Sequence, residues 1–349
     1  MILLTTDILS ERYPTIRYHS KGILKIIADT IECLNINEKI EIYGSSPILH
    51  KEFDSQLFFS MSKLSYVDEL PPLFTINKFS EQSINYIKRF LNKYSLIIGY
   101  ELTDQTIELL NLLNIKYVNI WLHPIRFMDD EIFLISSNAP NISNELKKYN
   151  ISESSYFVHA SYAKNLINLK YPIDIKNNSC VFFGQTANDK TLRKKDGYIK
   201  VNDFEKELFE IFLCYENIYY CKHPLNQSDI EYDFLVGLAP NIQKLNVNSY
   251  QVLANENLNI VVTISSSIAL EAYYFKKNAI YLNKPIVDIH KKNTYSIDST
   301  LLSPKFWSDL LKVPEKYPGK FFIVKNNKVR NSLNSYYSYP ILKDHYDAK

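Results

Sequence analysis

The sequence predicts an α/β fold of two domains, each with a parallel sheet covered on both faces, and three observations predict it. Short apolar, β-branched runs alternate with stretches of helical spacing along most of the chain. The length of 349 residues suffices for two domains of ordinary size. Several apolar runs end in polar or turn residues, at the carboxyl ends where ligands of such sheets bind.

In the first half, Met1–Thr6 reads as a strand and Tyr18–Leu34 as a helix, with Ile23, Ile26, Ile27, Ile31 and Leu34 on one face. Lys39–Tyr43 is an alternating strand, closed by a turn at Gly44-Ser45-Ser46-Pro47. Pro71-Pro72 marks a loop, and Ser80–Asn92 has the spacing of a helix. Ser95–Gly99 is a buried strand, Thr103–Asn114 a helix capped by Thr103 or Asp104, and Tyr117–Trp121 the next strand.

Asn138–Ser155 is polar, contains Pro140 and lacks an apolar run, so the domain boundary is expected there, dividing the chain into 1–150 and 151–349. The second half repeats the alternation. Tyr156–Asn168 reads as a helix, Cys180–Phe183 as a strand ending in Gly184-Gln185-Thr186, and Asp203–Leu213 as a helix. Ile218–Tyr220 is a short strand, Leu235–Ile242 holds a turn, and Ser249–Asn255 is a helix. Asn259–Ile264 and Ala279–Leu282 are strands flanking a helix that starts near Ile268. Phe306–Val313 is a last helix, and roughly the last 30 residues are irregular and aromatic.

Composition narrows the function. Hydrophobic residues make up 46% and charged residues 22%, which gives ample core material for a globular chain. Forty basic against 38 acidic residues leave a net charge of +2, with no basic cluster, which argues against nucleic acid as a partner. Only seven glycines are present, and neither GxGxxG nor GxxxxGK[ST] occurs, so a glycine-rich dinucleotide or P-loop site has little to be built from. The four cysteines form no CxxC pair and match no zinc spacing, so free thiols in a reducing cytoplasm are expected. The start, MILLTTDILSERYP, lacks the basic and long apolar regions of a signal peptide, and no run is long enough to span a membrane. A cytoplasmic protein is expected, and its aromatic, mildly basic surface is compatible with peripheral membrane contact.

Two stretches are candidates for anion binding. Ser265, Ser266 and Ser267 sit at a strand-to-helix turn, where one serine serves as a helix cap and the others remain for a ligand such as phosphate. Lys222-His223-Pro224 follows a strand, so His223 stands at a carboxyl strand end as a donor to phosphate, with Lys222 adding charge. Together they suggest a nucleotide with a single phosphate and no magnesium. Glu271, early in the helix after the serines, reads either as a carboxylate favoured by the helix dipole or as an acceptor for sugar hydroxyls. Glu101 and Asp104 follow a buried strand and are either helix-start acids or an acid/base pair candidate, and Asp189 is either a turn residue or a group opening on the crevice of His223. His123, Asp129 and Asp130 match no established metal pattern, and Arg126 is read as a carboxylate partner.

The KHP segment and the later TISSS turn with Glu271 resemble the paired His-Pro and serine motifs of bacterial GT-B glycosyltransferases that use CMP-activated ulosonic acids, the sialyltransferases and Kdo transferases. The segments IIGYELTD, WLHPIRFMDD and VFFGQTANDK look most like the retaining β-Kdo transferases of capsule and lipopolysaccharide synthesis. The resemblance runs over about residues 95 to 285 through short motifs. It implies a GT-B-like fold of two Rossmann-like domains with an interdomain cleft, the acceptor domain first and the CMP-Kdo domain second. It also implies transfer without a metal or other cofactor. Lys222, His223, Gln185, Ser265, Ser266, Ser267 and Glu271 would hold CMP. Asp189 would be the nucleophile, with Asp196 as the fallback, and Glu101 the acid/base near a glycan or lipid-linked glycan acceptor. An inverting sialyltransferase and a catalytically inactive glycan-binding subunit are the alternatives.

Overall fold

The computed structural model describes residues 1–9, 18–43, 52–66, 71–73, 76–187, 189–195, 197–226 and 228–318. The turn expected at Gly44-Ser45-Ser46-Pro47, the fallback Asp196 and the aromatic C-terminal stretch lie outside these residues. The chain forms two compact units. The first comprises Met1–His123, Asp130–Ile151 and the described chain from Ile289, and the second comprises Pro124–Asp129 and Ser152–Asp288.

The first unit is built on a six-stranded sheet. Its strands are β1 (Ile2–Thr6), β2 (Ile40–Ile42), β3 (Leu96–Tyr100), β4 (Tyr117–Leu122), β5 (Phe133–Ser137) and a late strand, Thr294–Ile297. β2, β1, β3 and β4 are neighbours in parallel register. The apolar runs of β1 and β3 are continuous because both sheet faces are buried. Ile2 and Leu4 enter one core with Ile98, Val118 and Ile120, while Leu3 and Ile97 enter the other with Phe58, Ile87, Phe90 and Leu109.

An all-parallel sheet is corrected at one edge. β5 runs antiparallel to β4, and the late strand runs antiparallel to β5. No crossover helix separates β4 from β5, and a parallel neighbour needs one. The polar stretch expected to be a boundary holds a helix, Pro140–Leu146, started by Pro140 at its first position, where a missing N–H costs nothing. Ile142 and Leu146 bury its inner face. The assignment of everything after 150 to the second domain also changes. The late strand extends the first sheet, and helix Pro304–Leu311 adds Phe306, Trp307 and Leu310 to the core around β1. Trp307 is fully buried and donates its indole N–H to Leu301 O at 2.9 Å.

The second unit carries a five-stranded sheet that is parallel throughout. In chain order its strands are β6 (Ser179–Phe183), β9 (Asn217–Cys221), β10 (Gln243–Leu245), β11 (Leu258–Thr263) and β12 (Asn278–Tyr281), with a small hairpin of β7 (Arg193–Lys194) and β8 (Gly197–Tyr198) beside them. The late strand of the first unit is β13. The sheet order is β10-β9-β6-β11-β12. Cys180, Phe182, Ile218, Tyr220, Ile260 and Val262 fill one face. The turn expected within Leu235–Ile242 is present at Pro240-Asn241, closed by the Ile242 N–H on Ala239 O at 3.0 Å, and it follows a helix not expected from the sequence, Ile230–Leu238. Leu235 on that helix is fully buried, so core packing sets its conformation.

Candidate active site at the strand ends of the second unit

Register brings three sequence motifs to one edge. Phe183 of β6 pairs with Thr263 of β11 on one side and with Cys221 of β9 on the other. The residues that follow, Gly184-Gln185, Ile264-Ser265 and Lys222-His223, therefore emerge from three adjacent strands at their carboxyl ends.

Ser265 is not a free phosphate donor. It is 3% exposed, and its N–H donates to Gln185 Oε1 at 2.9 Å. Gln185 Nε2 donates to Ser265 Oγ at 3.2 Å and to Thr191 Oγ1 at 3.1 Å. Ser265 Oγ lies 3.0 Å from Thr191 Oγ1 and donates to it. Ser266 takes the capping role, its Oγ receiving the Ile268 N–H at 3.5 Å. Ser267 is half-buried, in helical conformation, and makes no side-chain cap to the helix Ile268–Tyr274.

Asp189 sits in the loop after β6, half-buried. Its Oδ1 receives the Thr191 N–H at 2.8 Å, and its backbone N–H and C=O close turns to Thr186 and Leu192. An aspartate bonding two residues ahead is the local turn its side chain favours. His223 is half-buried, and its Nδ1 accepts the Leu225 N–H at 3.1 Å, which leaves the proton of the neutral ring on Nε2. Burial lowers the pKa of His223, and the negative charge of Asp189 acts against that fall. The imidazole is thus held as a neutral Nε2–H donor near a carboxylate.

Lys222 is committed elsewhere. Its ammonium and that of Lys244 both pair with Asp229, at 2.8 and 2.6 Å, and hold Asp229 at a pKa of about 2.

Glu271 departs from the ligand role expected for it. It is 1% exposed, and Oε1 receives both the Tyr250 hydroxyl and the Arg126 N–H at 2.6 Å. Burial raises its pKa to about 7 against these donors. A carboxylate so enclosed binds the segment Pro124–Asp129 to the second unit and does not reach sugar hydroxyls. Arg126 bonds this carboxylate through its backbone N–H, which is not the side-chain pairing expected of it.

Glu101 belongs to the first unit. It directly follows β3, is half-buried, and has φ of 56°, an uncommon conformation for a residue other than glycine. Its N–H donates to Ile120 O at 2.8 Å, which anchors the turn to β4. Asp104 pairs with Lys291 at 2.8 Å, and Thr103 is the cap of the helix Asp104–Leu112. His123 is fully buried, with Nε2 3.2 Å from Ser296 Oγ. Among the described residues no group of three or more His, Cys, Asp or Glu side chains is placed to hold a metal ion.

Two residues at the strand-end cluster were not singled out from sequence. Thr191 follows Asp189 by two positions, and an Asp-x-Thr turn is the signal for it. Glu231 lies in the first turn of helix Ile230–Leu238 and receives the Tyr220 hydroxyl at 2.8 Å and a backbone N–H of Gln185. Burial raises its pKa to about 7. Gly184 makes its place: a Cβ there would stand 2.2 Å from Glu231 Oε2 and 2.9 Å from the Tyr220 hydroxyl. No local signal in the sequence announces that close approach.

No protein-family model matches the chain, and no curated protein matches it. Among solved structures it is similar to the Thermosulfurimonas dismutans KpsC beta Kdo 2,7 transferase, at 14% identity over 61% of this chain and 72% of that one, with a TM-score of 0.36. The beta Kdo 2,4 transferase of the same KpsC matches at 13% identity over 55% and 70%, with a TM-score of 0.32. The UDP-GlcNAc 2-epimerase of Methanocaldococcus jannaschii matches at 16% identity over 89% and 91%, with a TM-score of 0.29. At TM-scores below 0.5 these likenesses carry no weight. The fold class stands on the two α/β units themselves, each a Rossmann-like arrangement with parallel strands at its centre.

Proposed function

We propose that the chain is a glycosyltransferase of GT-B type, transferring Kdo from CMP-Kdo to a surface-polysaccharide acceptor with retention. The observation that carries this reading is the convergence of His223, Asp189 and the Gln185–Thr191–Ser265 cluster at the carboxyl ends of β6, β9 and β11. The resemblance of the same segments to β-Kdo transferases supplies the choice of donor.

The chemistry follows from the groups present. Asp189 attacks the anomeric carbon as the bond to the CMP oxygen breaks, and a covalent glycosyl-enzyme forms. CMP departs as an anion, and the Nε2–H of His223 donates to its phosphate. The acceptor hydroxyl then attacks the same carbon, gives its proton to a general base, and releases Asp189. Lys222 adds positive charge at the same loop while paired with Asp229.

The test is release of CMP from CMP-Kdo and from CMP-sialic acid by wild type and Asp189→Ala. Turnover of CMP-Kdo by wild type, with none by the variant and retained CMP binding, is the expected result. Normal turnover by Asp189→Ala overturns the nucleophile and with it the retaining mechanism. Turnover of CMP-sialic acid alone replaces the donor, and binding of neither CMP-sugar points to a catalytically inactive glycan-binding subunit.

A further inference from the structure

The hydrogen bonds around Ser265 orient the side chains of the cluster. A backbone N–H can only donate, so the Ser265 N–H requires Gln185 to present Oε1 to it, and Nε2 then faces the two hydroxyls. One Nε2 hydrogen goes to Ser265 Oγ and the other to Thr191 Oγ1. Ser265 Oγ has two acceptors, Thr191 Oγ1 at 3.0 Å and Gln185 Oε1 at 3.4 Å, and the nearer Thr191 takes its proton while Gln185 Oε1 serves the Ser265 N–H. Thr191 Oγ1 thereby accepts two hydrogen bonds, which fills both of its lone pairs. Its own proton is turned away from Gln185 and Ser265, and the hydroxyl can act toward a further group only as a donor.

Position agrees with that polarity. Gln185 and Ser265 are 6% and 3% exposed, whereas Thr191 is half-buried and is the member of the three with an accessible side chain. Its backbone N–H holds Asp189, whose charge acts on His223. The serine turn was the expected phosphate cradle, yet its buried member spends its hydrogen bonds ordering Thr191.

We infer that Thr191 is a ligand-binding residue, its hydroxyl donating to an anionic oxygen of the donor substrate and oriented for that by Gln185 and Ser265. The inference rests on the donor reading proposed above. In a CMP-ulosonic acid the anionic oxygen is either on the phosphate or on the sugar carboxylate, and both take a donated hydrogen bond with the strength typical of a charged acceptor.

The full chain is titrated calorimetrically with cytidine, CMP and CMP-Kdo, as wild type, Thr191→Val and Thr191→Ser. Thr191→Ser is expected to match wild type throughout. Thr191→Val is expected to bind cytidine normally and to lose about tenfold or more in affinity for an anionic ligand. A loss for both CMP and CMP-Kdo assigns the contact to phosphate, and a loss for CMP-Kdo alone assigns it to the sugar carboxylate. Unchanged binding of both by Thr191→Val overturns the inference, as does an equal loss for cytidine, which marks a structural effect. If Thr191→Val fails to fold, Thr191→Ala against Thr191→Ser makes the same comparison. Failure of wild type to bind any of the three has a different pattern and overturns the donor reading itself, and this inference with it.

Discussion

The Tyr250 hydroxyl and the Glu271 carboxylate meet at 2.6 Å in a site where Glu271 is 1% exposed, and the Arg126 N–H bonds the same oxygen. Removing the hydroxyl leaves a buried carboxylate with one of its donors missing. Tyr250→Phe is expected to destabilise the chain by about 1–3 kcal/mol, the usual cost of an unsatisfied buried group, read as a lower midpoint in urea. An unchanged midpoint would show that the bond contributes nothing to stability.

The same carboxylate makes stability depend on pH. Glu271 has a pKa of about 7 in the folded chain against 4.5 when unfolded, so the folded state holds the proton more tightly. Its contribution is fully present below pH 4.5 and is lost as pH rises through 7, and Glu231 acts in the same direction over the same range. Thermal melting from pH 4.5 to 8 should show stability falling with pH. Glu271→Gln should flatten part of that slope and Glu271→Gln with Glu231→Gln more of it.

Gly184 and Glu231 should be coupled. Gly184→Ala places a methyl group 2.2 Å from Glu231 Oε2, which forces the carboxyl from its place against Tyr220 and Gln185. A loss of about 1–3 kcal/mol is expected. The same substitution made in Glu231→Ala should cost less, and a double-mutant cycle on urea midpoints measures the difference. Equal costs in both backgrounds would place the strain elsewhere.

The first unit should depend on its late segment. Trp307→Ala, at a fully buried position with its N–H bonded to Leu301 O, is expected to cost about 3–5 kcal/mol. A fragment of residues 1–151 lacks β13 and helix Pro304–Leu311, and so loses Ile297, Phe306, Trp307 and Leu310 from the core on one face of the sheet and exposes the edge of β5. It should fail to give a cooperative melt by circular dichroism, and a cooperative melt from it would refute that dependence.

The core strands were legible in the sequence because the signal is local. β1, β3, β6 and β11 are short runs dominated by apolar β-branched, leucine or aromatic residues and largely buried on both faces, a signal that does not depend on what they pack against. The motifs at their carboxyl ends could be placed at one sheet edge for the same reason, since parallel strands bring like ends together. The α/β class and the candidates Asp189, Gln185, His223 and Ser265 follow from that, whereas the helices Pro140–Leu146 and Ile230–Leu238 did not show in the sequence.

What only the tertiary structure decided depends on partners far apart in the chain. The Arg126–Glu271 bond spans 145 positions and the Gln185–Ser265 bonds span 80, and no local pattern encodes either. Burial therefore turned Glu271 from a ligand group into an internal anchor and Ser265 from a phosphate donor into a support for Thr191. Long-range pairing likewise returned the chain after Ile289 to the first sheet. A serine, a glutamate or a short strand reads the same in sequence wherever it packs, and its role is set by which polar groups and which sheet edge remain for it once the core has closed.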